Sequence, residues 1–164
     1  MGVSLNLPLT EYDTTKTHPL GDKVQIGSKS YRYCYNAGAD TLAAGEIVGQ
    51  HTNSTYGNVT GTVATFVDGT STCGLGLGMA MSAAPTLNYL WVQTGGANDV
   101  AITTDGNVAE GDGLVVEGGA SPDGTLDTMA DGEEEMVIGV AIDADTSGSA
   151  MAIGTAVLSM DKNW

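Results

Sequence analysis

The groups in this chain able to do acid–base, nucleophilic or metal chemistry are two histidines, two cysteines and 20 acidic residues. His18 precedes Pro19 and His51 lies in a polar stretch. Neither neighbours a nucleophile in sequence, so no Ser–His or Cys–His arrangement is legible. Cys73-Gly74-Leu75-Gly76-Leu77-Gly78 is rich in glycine but lacks the Lys-Ser/Thr of a phosphate loop and the G-x-G-x-x-G spacing. It reads instead as a bulged or sharply bent strand. Asp143-Ala144-Asp145-Thr146-Ser147-Gly148 opens like a calcium loop, but Gly154 stands where the closing bidentate Glu is required. Glu133-Glu134-Glu135 reads as a solvated charge run, and few aromatics accompany the acids to form a sugar-binding cleft. Cys34 and Cys73 read as two small buried residues or, as the alternative, a single disulfide; two cysteines do not make a disulfide scaffold. The expectation is a chain with no catalytic constellation, no cofactor and no metal site.

The charges are unevenly placed. The formal net charge is −15, and no lysine or arginine occurs between Tyr33 and Met160. Four of the five cations, Lys16, Lys23, Lys29 and Arg32, fall near the front; the fifth is Lys162. An acidic body repels phosphate, which argues against nucleic acid and anionic membrane as partners. No apolar stretch follows Met1, so no secretory signal is expected, and no run approaches the roughly 18 apolar residues of a membrane helix. Met1-Gly2 opens like a myristoylation site, but Asn6 stands where Ser or Thr is required. The sequons at Asn53 and Asn58 mean little without a secretory route.

The elements that must carry these charges read as strands. Residues 1–20 contain Pro8 and Pro19 with four threonines between them, and are expected to be an extended arm. Val24 and Ile26 alternate, Gly27–Ser30 turns, and Tyr31, Tyr33 and Tyr35 then share one strand face. Leu42–Val48 turns into another strand, and residues 50–58 read as a loop. Val59–Val67 alternates up to the Asp68-Gly69 turn. Leu87–Thr94 is the most strand-like stretch, and Val100–Thr104, Val137–Ile142 and Met151–Met160 follow. The recurring Asp-Gly and Gly-Asp-Gly turns are spaced as in all-β proteins. The expectation is all-β: a compact β-barrel or sandwich with an extended N-terminal arm. One barrel domain would span 21–164, with 50–75 as an insertion or loop-rich region. There is also an echo: Gly78-Met79-Ala80-Met81-Ser82-Ala83 and Gly139-Val140-Ala141-Ile142-Asp143-Ala144 share G-x-A-x-x-A. The echo is expected to mark two related strand–turn–strand units in one barrel.

Two aromatic features bear on partners. Tyr31, Tyr33 and Tyr35 beside Arg32 can form a docking stripe, since Tyr and Arg are enriched at interfaces, or can face inward as core. Trp164 has reason to be there if it packs on this chain or on a neighbour. The interface set expected from sequence is therefore Lys16, Lys23, Lys29, Tyr31, Arg32, Tyr33 and Trp164.

The order of these segments resembles the small β-barrel decoration, or cement, proteins of tailed-bacteriophage capsids. Leu20-Gly21-Asp22-Lys23-Val24, Tyr31-Arg32-Tyr33 and Leu42–Val48 carry the resemblance at the front. Gly78-Met79-Ala80, Tyr89–Gln93, Glu110–Leu114 and Val137–Ala141 carry it further on, so that it covers about 20–158. The match across 50–75 is poor, and the extreme charge asymmetry departs from the family's common pattern. The resemblance implies a non-enzymatic structural protein on the outer surface of a virion. It would bind the major capsid protein in assembled shells, bridge subunits, and associate as a homotrimer. Two other readings are a virion fibre or adhesion module that binds host glycans through loops such as 50–58, and a calcium-stabilised extracellular β protein.

Overall fold

A computed structural model describes residues 7–51, 57–60, 65–68, 71–74, 77–98, 102–104, 108–117, 126–128, 137–144, 151–153 and 156–159. The chain is all-β, with no helix among the described residues. The first strands are β1 (Lys23–Ile26), β2 (Lys29–Asn36), β3 (Ile47–Gln50), β4 (Asn58–Thr60), β5 (Thr65–Asp68), β6 (Ser71–Gly74) and β7 (Gly78–Ala80). They are followed by β8 (Tyr89–Ala97), β9 (Ile102–Thr104), β10 (Gly113–Glu117), β11 (Leu126–Thr128), β12 (Gly139–Ala141), β13 (Met151–Ile153) and β14 (Ala156–Ser159).

Five strands close a barrel. β2 pairs β4 in parallel. β4–β3, β3–β7, β7–β8 and β8–β2 then pair antiparallel, which returns to the start. β1 adds to the outside of β2 as an antiparallel hairpin, with Gly27 at φ 62° in the turn. A five-stranded ring is narrow, and its filling is small. Cys34, Val48, Val59, Ala80, Leu90 and Val92 form one buried cluster with Leu42 and Ala84. The alternate residues Tyr33, Ile47, Met79 and Trp91 belong to a second cluster on the other side of the strands. Both faces of β2 and β8 are thus buried, which accounts for the near-continuous apolar and aromatic run of Leu90–Val92.

The remaining strands repeat this scheme. β9 pairs β11 in parallel, and β11–β10, β10–β12, β12–β14 and β13–β9 pair antiparallel. β13 and β14, consecutive in sequence, together take the places that β8 takes in the first ring. The correspondence holds bond by bond. Gly45 N–H donates to Ala80 O and Ala80 N–H to Glu46 O; Gly111 N–H donates to Ala141 O and Ala141 N–H to Asp112 O. Leu77 N–H meets Val48 O as Ile138 N–H meets Leu114 O. Gly45 and Gly111 both have left-handed φ, at 87° and 92°. In each turn a carboxylate accepts a backbone N–H: Glu46 Oε2 from Ala43 at 2.6 Å and Asp112 Oδ2 from Ala109 at 2.8 Å.

The G-x-A-x-x-A echo is therefore the visible part of a longer duplication. Its two copies hold matching places in two successive rings, not in one as the sequence reading has it. The last residues of β8, Gly95–Ala97, pair with β14 and join the second ring to the first in one sheet. Within 50–75, β4 is a ring strand, and β5–β6 form a hairpin whose β6 pairs with β10. The single alternating strand expected over Val59–Val67 is two strands, β4 and β5.

Candidate interaction surface

The arm and the β1–β2 hairpin hold the cations, and the arm lies against its own barrel. The backbones of Asp13 and Tyr89 exchange two hydrogen bonds of 2.8 Å, forming a one-residue bridge along β8. Asp13 Oδ2 then accepts from the Tyr33 hydroxyl at 2.7 Å and from Thr17 Oγ1 at 2.6 Å. Thr17 N–H donates to Tyr33 Oη at 3.2 Å. His18 sets its ring edge-on to Tyr33 and Trp91, with centroids 5.1 and 5.2 Å away. Tyr33 stacks on Tyr89 at 5.9 Å, and Tyr35 tilts against Tyr89 at 4.9 Å. Leu7, Leu9 and Leu20 pack on the cluster that contains Tyr33, Met79, Met81 and Trp91. Burial holds the Tyr33 phenol above its ordinary value; hydrogen bonds from Thr17 pull it down, and Asp13 pushes it up again. Asp13, Thr17 and Tyr89 are the positions that sequence reasoning missed. A lone Asp among threonines carries no period that would single it out.

The expected interface residues separate into two groups. Lys16 and Lys23 are exposed, while Lys29 and Arg32 are half-buried. Lys23 and Arg32 sit directly opposite each other across β1–β2, and Lys29 sits opposite Ile26, which is 44% exposed. Arg32 Nη1 donates to Gly21 O at 3.4 Å. β1 is the first strand in the sheet order and pairs only with β2 among the described strands. Lys23, Lys29 and Arg32 are thus carried by the β1–β2 hairpin, and Lys16 by the arm. Tyr31 and Tyr33 are a correction: at 2% and 0% exposure they are core and form no docking stripe. Their side of β2 is the face the arm covers. Trp164 lies outside the described residues.

The other chemical candidates stay dispersed. Among the described residues no three His, Cys, Asp or Glu side chains gather in a way that can hold a metal ion. The Asp145–Ser147 part of the calcium-like loop lies outside the described residues. Cys34 is a free thiol inside the ring, and burial raises its pKa far above the ordinary range. An open groove of about 400 Å³ lies between the arm and the first ring, lined by Thr10, Glu11, Tyr12, Ser82 and Ala83. Ser82 Oγ is buried without a hydrogen-bond partner among the described residues, and no histidine lines the groove.

Asn36 is another structural polar residue. Buried at the end of β2, it donates to Asp40 O at 2.9 Å and Ala84 O at 3.0 Å, tying two loops together. Comparison with protein-family models, with curated proteins and with solved structures gave no match to this chain.

Proposed function

We propose that this chain is a non-enzymatic decoration protein that binds the outer surface of an assembled phage capsid and bridges its subunits. The observation that carries this reading is that the β1–β2 hairpin bears Lys23, Lys29 and Arg32 and the arm bears Lys16, on a chain of net charge −15. Opposed cations such as Lys23 and Arg32 raise the local positive potential and favour an anionic partner surface. The acidic remainder faces solvent and keeps decorated particles apart. A protein that binds the lattice and not its free subunits stabilises the lattice by mass action, and many copies make modest contacts sufficient. Trimeric association follows from the family resemblance and is part of the proposal.

Residues 7–20 strap onto their own barrel, so deleting them would uncover Tyr33 and Trp91 and would confound a binding test. The cleaner test is cosedimentation with expanded, undecorated shells and separately with unassembled capsid protein. Saturable pelleting with shells alone is expected, weakening with salt and with the Lys16→Glu/Lys23→Glu variant. Absence of pelleting with any shell would end the reading.

A further inference from the structure

β8 changes neighbours part-way along its length, and the change opens a groove. Ala80 of β7 pairs with Val92, and Met81 N–H donates to Trp91 O at 3.1 Å. At Tyr89 the bridge from Asp13 takes over. The chain after β7 has left β8 by then, since Ala84 and Leu42 exchange two backbone hydrogen bonds of 3.0 Å. Ser82 and Ala83 make that departure, and Thr10, Glu11 and Tyr12 lie just ahead of Asp13. The groove of about 400 Å³ lies between these two segments. Its volume is near the lower end of ligand pockets, roughly 300–1,000 Å³. On the arm side the chain turns: Glu11 N–H donates to Pro8 O at 3.2 Å, and Thr10, Glu11 and Tyr12 are exposed. On the barrel side Ser82 is 5% exposed, and its Oγ is buried with no hydrogen-bond partner among the described residues. A buried hydroxyl without a partner costs free energy that a ligand bonding it would recover. Asp143, at the matching place in the second ring, is exposed.

We infer that this groove binds a neutral hexopyranose unit. The ligand class follows from the lining. Its polar groups are the Glu11 carboxylate and the hydroxyls of Thr10, Tyr12 and Ser82; its apolar groups are the Tyr12 ring and the Ala83 methyl. No lysine or arginine lines it, so phosphates and sugar acids meet Glu11 without a compensating cation. An ammonium or guanidinium would suit Glu11, but such groups only donate, and the Ser82 proton would stay without an acceptor. A ligand hydroxyl does both: it accepts from Ser82 and donates to Glu11, the second bond being charge-assisted. Rotation about χ1 among its staggered positions lets the Ser82 hydroxyl turn to the groove that its residue lines. The C–H face of a pyranose ring matches the ring of Tyr12, which is 43% exposed and carries a polar tip beside its apolar body. The site rests on the groove alone and is independent of the capsid reading.

The test is titration of the full chain with the methyl glycosides of glucose, galactose, mannose and N-acetylglucosamine, followed by amide shifts. Saturable binding in the millimolar range is expected for a single hexose in an open groove, with shifts centred on Thr10–Tyr12 and Ser82–Ala83. Because the full chain is titrated, binding there also requires that no segment of its own fills the groove. Tyr12→Ala and Ser82→Ala should each weaken binding about fivefold. Ser82→Ala has a second readout. The unbound variant should melt no lower than the parent chain, because an unpartnered hydroxyl is removed, whereas a serine with a structural role would lower the melting temperature. Glucose 6-phosphate and arginine methyl ester are the charged controls, and both should bind more weakly than the neutral sugars. Free glucose beside its methyl glycoside separates two sources of the same chemistry: equal affinity assigns the site to a unit within a glycan chain, and a loss on methylation assigns it to the free sugar. The inference is overturned if none of the four glycosides gives a saturable shift or if the shifts centre elsewhere. Unchanged affinity in Tyr12→Ala and Ser82→Ala overturns it too, as does tighter binding of the arginine ester.

Discussion

The first ring is aromatic and strapped; the second is built without a single aromatic, since none occurs between Trp91 and Trp164. Yet the two share strand order, strand sense, a left-handed glycine and a carboxylate-locked turn. The scheme is therefore held by backbone pairing and turn chemistry, which tolerate a change of filling. What the filling decides is what the outer face can do. A face of Tyr33, Met79, Met81 and Trp91 is too apolar to leave in water, and it is buried in one cluster with second-ring residues such as Leu114 and Ile138, against which the arm's Leu7 and Leu9 also pack. A face of Val140 and Ile142 is small enough to remain exposed.

The sharpest way to break this comparison is to truncate the matching pair. Met81→Ala should lower stability by about 2–5 kcal/mol, the usual range for a buried Met, Leu or Ile cut to Ala. Ile142→Ala at the equivalent place should change it by no more than about 0.5 kcal/mol. Urea unfolding of both variants measures the contrast, and equal losses would mean that the two faces are not differently covered.

The strap itself comes next. Asp13→Ala leaves the Tyr33 hydroxyl and Thr17 Oγ1 without their shared acceptor, and should lower stability by about 1–3 kcal/mol. Burial also holds the Tyr33 phenol above its ordinary value. A group whose pKa is raised on folding contributes stability below its unfolded pKa and loses it as pH rises toward the folded value. Stability should thus fall above about pH 10, and Tyr33→Phe should flatten that part of the profile. No equivalent phenol exists in the second ring; the slope that remains in the Phe variant is expected from the buried Cys34 thiol, whose pKa is also raised on folding.

Much of the fold was legible. The two-residue alternation of β2 and the Tyr89–Thr94 run of β8 announce strands, and the glycine turns announce their spacing. The G-x-A-x-x-A echo is visible because Gly78 must be small: a Cβ there would meet Val92 at 2.9 Å. The rest of the duplication is hidden because equivalent positions hold different residues. Val48 answers to Leu114 and Val59 to Leu126, related only by hydrogen-bond register. Of the interface set, Lys16 and Lys23 keep to the surface because charge resists burial, whereas Tyr31 and Tyr33 do not. Sequence alternation shows that the tyrosines share a face; it does not show that a separate segment covers it.

The matched turns offer a subtler test. Gly45→Ala and Gly111→Ala each place an L side chain at positive φ, and each should lower stability by about 1–2 kcal/mol. Similar losses would confirm that the turn works equally in both rings. A loss at Gly45 alone would indicate that the second ring's turn can relax.

The smallest effect should have the opposite sign. Leu87, in the connection between β7 and β8, is the non-glycine residue at positive φ among the described residues, at 64°. Its N–H donates to Asn36 O at 2.9 Å, which holds it there, while its side chain is 65% exposed. A leucine so placed loses backbone energy and gains little from burial. The corresponding connection of the second ring contains Gly148, which lies outside the described residues. Leu87→Gly should therefore raise stability by about 0.5–1 kcal/mol, the relief of left-handed strain partly offset by glycine's larger unfolded-state entropy. Thermal and urea unfolding both read this gain. A net loss would mean that the exposed leucine makes a stabilising contact outweighing its strain, and would place the β7–β8 connection among the features that set the first ring apart from the second.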